Sequence, residues 1–544
     1  MTRTTASTAA EQHLLYGFEP FPDDRAERYR RLGYWTGKPL YSLLSDAAHQ
    51  WPDRVAAIDP TASHTFAELD RLAADAAAGF AATGIGAGDR VLLQLPNTAR
   101  FAVALFGLLR AGAVPVMCLP AHRRAELSHF AAVSAAVAII TTDCFGGFDY
   151  RDQARELVDS HPRLQHVIVD GEACEFTSWA SLFGHPPITP PTVRTTEPAL
   201  LLVSGGTTGA PKLIPRTHED YCYNATASAR LCEMTSDDVC LAVLPAAHNF
   251  PLACPGLLGA ISVGATTVFT TDPSPESAFA TIARHGVTVC ALVPALATLW
   301  TQACGWEPQR PSTLRLLQVG GAKLSAPDAA AARATLTPGL QQVFGMAEGL
   351  VNYTRPGDAL ELLDHTQGAP LCPDDELRVV DEDGTDVAPG EEGELLVRGP
   401  YTLNGYYRAT SDNERSFSPD GFYRTGDRVR RRGDGYLEVT GRIKDVIHRG
   451  GETISALDLE EHLLTHPAIR TVAAVPLPDP YLGERICAVV VFGEPSATLA
   501  ELNSYLDERG VAAHSRPDIL VTRSSLPVTA VGKVDKKAII ATLT

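Results

Sequence analysis

Leu200-Leu-Leu-Val-Ser-Gly-Gly-Thr-Thr-Gly-Ala-Pro-Lys212 joins an apolar run to a turn rich in glycine and hydroxyl groups. The four apolar residues predict a buried strand. The nine residues after it hold three glycines, three hydroxyl side chains and one of the seven lysines of the chain. Glycines let backbone amides approach phosphate oxygens, hydroxyls add donors, and the lysine adds positive charge. We therefore predict a phosphate-binding loop that uses Ser204, Gly205, Gly206, Thr207, Thr208, Gly209 and Lys212.

Outward from this loop, apolar runs alternate with helical patterns. Residues 66–83 and 100–111 have the periodicity of amphipathic helices, and short apolar runs lie between them and beyond them. The predicted strands are 90–95, 114–119, 137–141, 167–169, 199–203, 267–269, 289–293 and 314–319. This alternation is typical of an α/β fold with parallel strands and crossover helices.

The pattern changes near residue 376. Residues 376–381, 393–398 and 436–440 are short alternating runs between turns, which predicts an antiparallel sheet or a small barrel. After Gly441 we expect a compact α+β segment, with helices near 456–466 and 498–508 and strands near 472–475 and 488–492. We therefore divide the chain into a large body, 1–443, whose β-rich part covers about 370–443, and a small C-terminal domain, 444–544.

Composition excludes several classes of function. The 544 residues are 45% hydrophobic, enough for more than one core, and the net charge of −18 disfavours nucleic acid and anionic membranes as partners. No run approaches the roughly 18 apolar residues of a membrane span. The eleven cysteines show no CxxC pair, so we expect neither a metal cluster nor a disulfide framework. These features favour a cytoplasmic enzyme.

Five motifs occur in the order and approximate spacing of the adenylate-forming superfamily, which includes acyl-CoA ligases, luciferases and peptide-synthetase adenylation domains. They are the loop at 204–212, Gln342-Val-Phe-Gly-Met-Ala-Glu348, Tyr423-Arg-Thr-Gly-Asp427, Gly441-Arg-Ile-Lys-Asp445 and Gly532-Lys533. Within that superfamily, residues 244–254 and 318–323 most resemble stand-alone aryl acid AMP ligases, which activate 2,3-dihydroxybenzoate or salicylate for siderophores. The resemblance covers residue 41 to the end. It implies a mobile C-terminal domain, Mg²⁺ and ATP, and a thiol acceptor.

Adenylation brings a carboxylate onto the α-phosphate of ATP, so two anions converge and cations should dominate the catalysis. The resemblance implies that Lys533 bridges these two groups. It also implies that Glu348 holds Mg²⁺, a role that suits a carboxylate placed after an apolar segment. His248 is expected close to the phosphate, without a role in proton transfer.

The remaining nucleotide contacts are also expected from the resemblance. Asp427 lies in a Thr-Gly-Asp turn, where its two carboxylate oxygens accept both ribose hydroxyls, and Arg442 lies near ribose or phosphate. Lys444 is the expected hinge between adenylation and thiol transfer, because Lys533 must leave the site before the acceptor enters. The expected walls of the adenine slot are Gly320, Gly321, Ala322, Val343, Phe344 and Gly345.

The aryl acid pocket should be small and flat. The Asn249 amide can bind a carboxylate that has an ortho hydroxyl, Phe250 supplies an aromatic wall, and Val351 restricts ring size. In the resembling family, dihydroxybenzoate-activating members typically have Ser at the position of Cys254, and salicylate-activating members have Cys. Because a thiol is a weak donor, Cys254 favours salicylate or a substituted 2-hydroxybenzoate over 2,3-dihydroxybenzoate.

No carrier-domain pattern is found in the chain, so we expect a separate phosphopantetheinylated aryl carrier protein as acceptor. Residues 428 and 430–432 are arginines that could present a basic face to it. Free coenzyme A is the alternative acceptor. A silent homologue that only binds aryl acid or nucleotide is a rival from another class, disfavoured by Lys533, Glu348 and Asp427. A P-loop phosphotransferase is disfavoured because no Ser or Thr follows Lys212.

Overall fold

The computed structural model describes residues 16–204, 211–443, 445–449, 452–509, 511–529 and 532–544. The α-helices of these residues are α1 Asp23–Arg31, α2 Ser42–Gln50, α3 Phe66–Ala82, α4 Ala99–Ala111, α5 Arg124–Ser134, α6 Tyr150–Ser160, α7 His218–Leu231, α8 Asn249–Ala253, α9 Gly256–Ser262, α10 Pro275–His285, α11 Pro294–Ala303, α12 Ala326–Thr335, α13 Leu360–His365, α14 Thr410–Ser416, α15 Ala456–Leu464, α16 Leu499–Glu508 and α17 Lys536–Leu543. Among them, none has both the length and the apolar character that crossing a bilayer requires.

The strands of the same residues follow in chain order. They are β1 Val55–Ile58, β2 Ser63–Thr65, β3 Arg90–Leu93, β4 Val114–Met117, β5 Ala138–Thr142, β6 Cys144–Phe145, β7 Phe148–Asp149, β8 His166–Asp170, β9 Thr177–Ser178, β10 Pro198–Val203, β11 Leu213–Thr217, β12 Val239–Ala242, β13 Thr266–Phe269, β14 Val289–Leu292, β15 Leu316–Gly320, β16 Leu340–Gly345, β17 Val351–Tyr353, β18 Ala369–Pro370, β19 Glu376–Val380, β20 Glu392–Arg398, β21 Tyr423–Arg431, β22 Leu437–Arg442, β23 Val446–Arg449, β24 Glu452–Ser455, β25 Ile469–Asp479, β26 Gly483–Phe492 and β27 Ile519–Thr522.

Two largely parallel sheets form the body, which confirms the predicted α/β class. One has the order β11-β10-β4-β3-β5-β8-β9, and the other β18-β17-β16-β15-β14-β12-β13-β1-β2. Helices α3 and α4 pack closely because Gly107 has no side chain: a Cβ there would lie 3.0 Å from Ala76 Cβ. Their apolar faces share a core with residues of both sheets, so the two sheets are held in a fixed relation.

The sheets turn antiparallel next to the strand ends that the motifs follow. Strand β10 pairs antiparallel with β11, and β16 pairs antiparallel with β17. Strands β14, β15 and β16 are parallel, so their carboxyl ends reach the same edge of the nine-stranded sheet. Ligands of open α/β sheets commonly bind at such an edge.

The β-rich part is an open antiparallel sheet of order β19-β20-β21-β22, which decides between the two predicted alternatives. The structure corrects one prediction in this sheet, the turn that the sequence predicts at Asp427. The residue lies inside β21 and pairs with Arg442 of β22. Gly426 has a φ of +71°; the register of β21 with β20 shifts across it, between Arg424 and Arg428, and the register with β22 shifts between Arg428 and Val429. The glycine that indicated a turn therefore belongs to a distorted strand.

The C-terminal residues build a separate sheet of order β24-β23-β26-β25, with β27 paired to β26. Alternation along β25 feeds two cores: Val472 and Ala474 pack with α15 and α16, whereas Ala473 and Val475 pack with Ile539 of α17. A Lys323–Glu461 ion pair of 2.7 Å joins the body to α15. Both faces of this small sheet are thus covered by its own helices.

Candidate active site

Lys533 lies at the tip of a hairpin that reaches the edge of the nine-stranded sheet. The hairpin is closed by hydrogen bonds from the Thr529 amide to the Lys533 carbonyl oxygen, 2.6 Å, and from the Gly532 amide to the Thr529 carbonyl oxygen, 2.9 Å. Its side chain passes over Gly321: a Cβ on that glycine would lie 3.1 Å from Lys533 Cε. Gly321 also has a φ of +89°, so the backbone and the approaching lysine both favour glycine there.

The charges around Lys533 come from three different motifs. Burial, and secondarily the Arg442 guanidinium, lower the pKa of Lys533 to about 8, whereas Asp427 and Glu348 oppose the shift. The structure therefore brings together two cations and two carboxylates that lie far apart in the sequence. An ammonium group in such a setting is stabilised by an arriving anion.

His248 is neutral at pH 7. Burial, and secondarily the charge of Lys533, lower its pKa to about 3. Its Nδ1 accepts a hydrogen bond from the Phe250 amide at 3.3 Å, which caps α8. The structure thus places a neutral ring close to Lys533, and its expected position beside the phosphate stays a prediction.

Glu348 is held in place by groups that the sequence did not identify. The Tyr406 hydroxyl donates to Glu348 Oε1 at 2.9 Å and lies 2.9 Å from the Tyr423 hydroxyl. The buried Arg216 guanidinium donates to the carbonyl oxygens of Ala347, 3.1 Å, and of Tyr401, 3.2 Å. Arg216 is itself paired with Asp220 at 2.9 Å, so its charge is compensated. The loop carrying Glu348 is therefore anchored from both sides.

Asp427 and Arg442 form a pair on neighbouring strands. Arg442 Nε donates to Asp427 Oδ1 at 2.7 Å, while Asp427 is buried and the Arg442 side chain is half exposed. Burial raises the pKa of Asp427, and the arginine opposes that rise. Arg442 occupies one carboxylate oxygen, so the two residues present a joint donor and acceptor surface rather than a free carboxylate.

The described ends of the predicted phosphate loop are joined directly. The Ser204 amide donates to the Lys212 carbonyl oxygen at 2.9 Å, and the Lys212 amide donates to Ser204 Oγ at 2.8 Å. Lys212 Nζ lies 4.8 Å from the centre of the Tyr406 ring and 3.6 Å from Asp412. Lys212 therefore points to the tyrosine that binds Glu348. The other loop residues, Gly205, Gly206, Thr207, Thr208 and Gly209, and the predicted hinge Lys444, lie outside the described residues.

The predicted adenine slot lies at the ends of β15 and β16. A Cβ on Gly320 would lie 2.7 Å from the Val343 carbonyl oxygen and 3.2 Å from the Phe250 ring. A Cβ on Gly345 would meet Leu350 O at 3.0 Å and Val351 Cγ1 at 3.2 Å. Both glycines let neighbouring segments close over the strand ends. Gly321, Ala322 and Phe344 are partly or fully exposed at the same edge.

The predicted aryl pocket contains a buried polar network. Asn249 Oδ1 accepts from the Tyr221 hydroxyl at 2.9 Å, and its Nδ2 donates to Cys254 Sγ at 3.6 Å. Asn224 Nδ2 donates to the same sulfur at 3.8 Å. Burial raises the pKa of the Cys254 thiol to about 11, so it is protonated at pH 7. Val351 is buried, and its Cγ1 would lie 3.2 Å from a Cβ on Gly345.

The family models match two parts of the chain: the AMP-binding enzyme model covers residues 44–407, and the model of the AMP-binding enzyme C-terminal domain covers residues 458–533. The chain belongs to the AMP-binding enzyme family. This confirms the predicted superfamily, and with it the use of ATP.

Three similar proteins place this AMP-binding enzyme further. It is 65% identical to the salicyl-AMP ligase / salicyl-S-ArCP synthetase of Mycobacterium tuberculosis, with 97% of this chain and 95% of the relative covered. It is 47% identical to the 2,3-dihydroxybenzoate-AMP ligase of Bacillus subtilis, with 97% of each chain covered. The apo structure of Mycobacterium smegmatis MbtA matches with a TM-score of 0.77 and 69% identity over 97% of this chain and 99% of that one. These relatives agree with the predicted subgroup of aryl acid AMP ligases.

Three polar residues of α7, which the sequence did not single out, belong to the buried hydrogen-bond network of this AMP-binding enzyme. Tyr221, Asn224 and Ser228 face the interior from α7, and Ser228 Oγ accepts from the Tyr353 hydroxyl at 2.8 Å. Their spacing of three and four residues puts them on one helical face. These polar residues have the spacing that apolar residues usually have on the buried face of a helix, and this pattern could have identified them from the sequence.

Three of the four arginines of the predicted basic face, residues 428 and 430–432, lie next to carboxylates, and contact of this face with a carrier protein stays a prediction. Arg428 lies 2.6 Å and Arg430 lies 3.5 Å from the carboxylate oxygens of Glu392. Arg432 pairs at 3.2 to 3.3 Å with Glu361, Asp434 and Glu438. Arg428 and Arg430 share the single charge of Glu392, whereas three carboxylates surround Arg432, so the charge of the run is offset in part by the distant residues Glu361 and Glu392.

Proposed function

We propose that this enzyme joins salicylate, or a substituted 2-hydroxybenzoate, to the α-phosphate of ATP, and releases pyrophosphate. The convergence of Lys533, Arg442, Asp427 and Glu348 at the edge that also holds Asn249 and Cys254 is the observation that carries this proposal. The name of the relative that is 65% identical supports salicylate as the acid. The proposed second step is transfer of the aryl group to the phosphopantetheine thiol of a separate aryl carrier protein in siderophore biosynthesis.

Lys533 would act by electrostatics. A lysine with a pKa of about 8 is mostly protonated at pH 7, although burial opposes its charge. Two anions, the aryl carboxylate and the α-phosphate, would supply the negative charge that this buried ammonium group lacks. Because their repulsion is greatest as they meet, the ammonium group would stabilise the transition state more than the separated substrates.

The residues around Glu348 fit Mg²⁺. Within the described residues, no group of three or more His, Cys, Asp and Glu side chains is placed to hold a metal ion. Mg²⁺ bound with nucleotides commonly uses one or two carboxylates, while phosphates and water complete its coordination. The Tyr406 hydroxyl uses Oε1 of Glu348 and orients the carboxylate. Mg²⁺ held there would neutralise phosphate charge, and Lys212 would add to this from the base of the phosphate loop.

The nucleotide would bind across the strand ends. Gly320, Gly321, Ala322, Val343, Phe344 and Gly345 would line the adenine slot, and Ser204 with the loop glycines and threonines would contact phosphate. Asp427 would bind ribose through the carboxylate oxygen that Arg442 does not occupy. Arg442, half exposed, would reach ribose or phosphate.

Selectivity among aryl acids would depend on Cys254. The Asn249 and Asn224 amides both donate to its sulfur, so the protonated thiol is fixed as a weak acceptor. The 3-hydroxyl group of 2,3-dihydroxybenzoate would find no strong hydrogen-bond partner in this thiol. Salicylate lacks that hydroxyl and would therefore lose no binding energy. His248 and Phe250 would shape the opposite wall, and Val351 would limit the width of the ring.

For the second step, we propose that residues 444–544 rotate about Lys444 as a domain. The separate sheet and the two separate cores after residue 445 support this boundary. In the described arrangement Lys533 lies over Gly321 of the body, which supports assigning this arrangement to the first step. A cytoplasmic location is proposed too, since all eleven cysteines are free and nine of them are buried.

The test is ATP–pyrophosphate exchange with salicylate, 2,3-dihydroxybenzoate, benzoate and 3-hydroxyanthranilate, on the wild type and on Cys254→Ser. Salicylate should support the fastest exchange, and the serine variant should shift the preference towards 2,3-dihydroxybenzoate by about tenfold, since one hydrogen bond is at stake. A faster wild-type reaction with 2,3-dihydroxybenzoate would overturn the assigned acid. The absence of exchange with every acid in a folded protein would reopen the silent-homologue alternative.

The acceptor is tested separately. Purified enzyme with salicylate and ATP is offered either free coenzyme A or a pantetheinylated aryl carrier protein, and thioester is measured by mass spectrometry. We expect thioester on the carrier. Efficient thioester formation with coenzyme A alone would identify an aryl-CoA ligase instead.

A further inference from the structure

Lys536 is buried in a network of carboxylates, although the sequence suggests a surface lysine next to Lys537. Its Nζ lies 3.0 and 2.8 Å from the two oxygens of Asp445 and 2.8 Å from Glu460 Oε1. Only 23% of the lysine side chain and 13% of the Glu460 side chain are exposed. A cation shared by two carboxylates in such surroundings contributes more than a surface pair.

The two carboxylates belong to different segments. Asp445 follows the proposed hinge residue directly; its amide donates to the Arg442 carbonyl oxygen at 3.1 Å, and its own carbonyl oxygen accepts from the Ala456 amide at 3.3 Å. Glu460 lies in α15 and also accepts from the Ala474 amide of β25 at 2.7 Å. Lys536 therefore joins the chain just after the hinge, α15 and the first turn of α17.

The same lysine stands at the base of the hairpin that carries Lys533. The Asp535 amide donates to the Pro527 carbonyl oxygen at 2.8 Å and closes the hairpin, and Asp535 Oδ1 accepts from the Ala538 amide to cap α17. Lys533 is thus three residues from a side chain that is fixed by two ion pairs. Displacement of Lys536 would move the base of the hairpin and, with it, the ammonium group at the tip.

We propose that Lys536 is a positioning residue for adenylation: it ties the base of the Lys533 hairpin to Asp445 and Glu460, so that the hairpin and the hinge move as one piece. This inference rests on the proposed role of Lys533. Without the lysine, Asp445 and Glu460 would face each other as like charges in a partly buried site and would separate. Lys533 would then reach the body in a range of positions instead of one.

The test uses Lys536→Met, which keeps the length of the side chain and removes its charge, and Lys536→Arg, which keeps the charge. Three quantities are measured: the kcat and KM of ATP–pyrophosphate exchange, transfer from preformed aryl-AMP to the thiol acceptor, and thermal unfolding. For Lys536→Met we expect kcat of exchange to fall about 10- to 100-fold, the loss typical of a misplaced reacting group. KM for ATP and acid, and the rate of transfer, should stay within about threefold, and Lys536→Arg should recover most of the exchange.

Lys38→Met is the matched control, since it removes one lysine from a surface ion pair with Asp46 in which both side chains are 58% exposed. It should leave both half-reactions unchanged. If Lys536→Met lowers exchange, transfer and the unfolding temperature in parallel, the lysine is merely structural and the proposal is wrong. Unchanged exchange would also overturn it.

A double-mutant cycle separates this inference from the proposed function. In a Lys533→Ala background, Lys536→Met should have little further effect on exchange, because the group that it positions is gone. A further loss of full size would contradict positioning through Lys533. If Lys533→Ala itself leaves exchange intact, the proposed function of Lys533 fails, and this result is read from the single variant alone.

Discussion

The body holds its site residues on strand ends and on the short helix α8, whereas the C-terminal part holds Lys533 on a hairpin. Asn249, Cys254 and Gly320 are buried, and the side-chain hydrogen bonds of Asn249 and Cys254 are made within the body. Lys533 approaches them from a sheet with its own cores, and touches the body at Gly321. From this difference we propose that the body recognises the substrates and that the C-terminal part delivers the catalytic charge.

Removing the charge of Lys533 should have the largest effect on the rate of adenylation. Lys533→Ala should lower the rate of ATP–pyrophosphate exchange by roughly 10² to 10³-fold, the usual cost of losing one preorganised group that stabilises a transition state. Binding of the aryl acid, measured by calorimetry, and transfer from preformed aryl-AMP should change little, because the body makes the pocket. Loss of acid binding in this variant would show that recognition and delivery are not separate.

The charge state of Lys533 should limit activity at high pH. Burial lowers its pKa to about 8, so the free enzyme loses the required proton as the pH rises through that value. The kcat/KM of exchange should therefore fall about tenfold per pH unit above 8, to about a hundredfold at pH 10.

Lys533→Arg is the control for the fall of kcat/KM at high pH. Arginine keeps its proton in this range, so the variant should be slower overall but should show no limb near pH 8. The same limb in Lys533→Arg would assign it to another group. For stability the sign is opposite: between about 8 and the unfolded value of 10.5 the unfolded state binds more protons, so this lysine favours folding as the pH rises.

Contact between the two regions is tested at Gly321. A Cβ there would lie 3.1 Å from Lys533 Cε, and its φ of +89° strains any other residue. Gly321→Ala should lower kcat of exchange about tenfold, because the lysine must shift by a few tenths of an ångström. Gly286→Ala is the matched control: its φ is +62°, and nothing lies within 4 Å of a Cβ there. It should cost about 1 kcal/mol of stability and no activity. Equal activity of both variants would show that the contact between Gly321 and Lys533 does not affect adenylation.

The same two regions differ in how well the sequence predicts them. Gly320 and Gly345 follow apolar strands, so their place at a common edge follows from the parallel arrangement. Asp427 was assigned to a turn because Gly426 indicates one, and the pairing with β22 is decided by a distant segment. The burial of Lys536 has no local signal either, since its partners Asp445 and Glu460 lie 91 and 76 positions away in the sequence. Strand-end positions are local information, whereas ion pairs between segments are not.

The smallest expected effect concerns the Lys323–Glu461 ion pair, which joins the end of the adenine slot to α15 at 2.7 Å. The side chains are 21% and 36% exposed, so water and salt screen the pair, and its contribution should be under about 1 kcal/mol. Lys323→Gln and Glu461→Gln should each lower exchange about two- to threefold at low salt, with no loss of transfer, because the pair favours the orientation with Lys533 in the site.

The charge-swapped double variant, Lys323→Glu with Glu461→Lys, should recover part of the loss. An equal fall in both half-reactions, or a loss unaffected by salt, would show that the pair stabilises the fold rather than the orientation of the two regions.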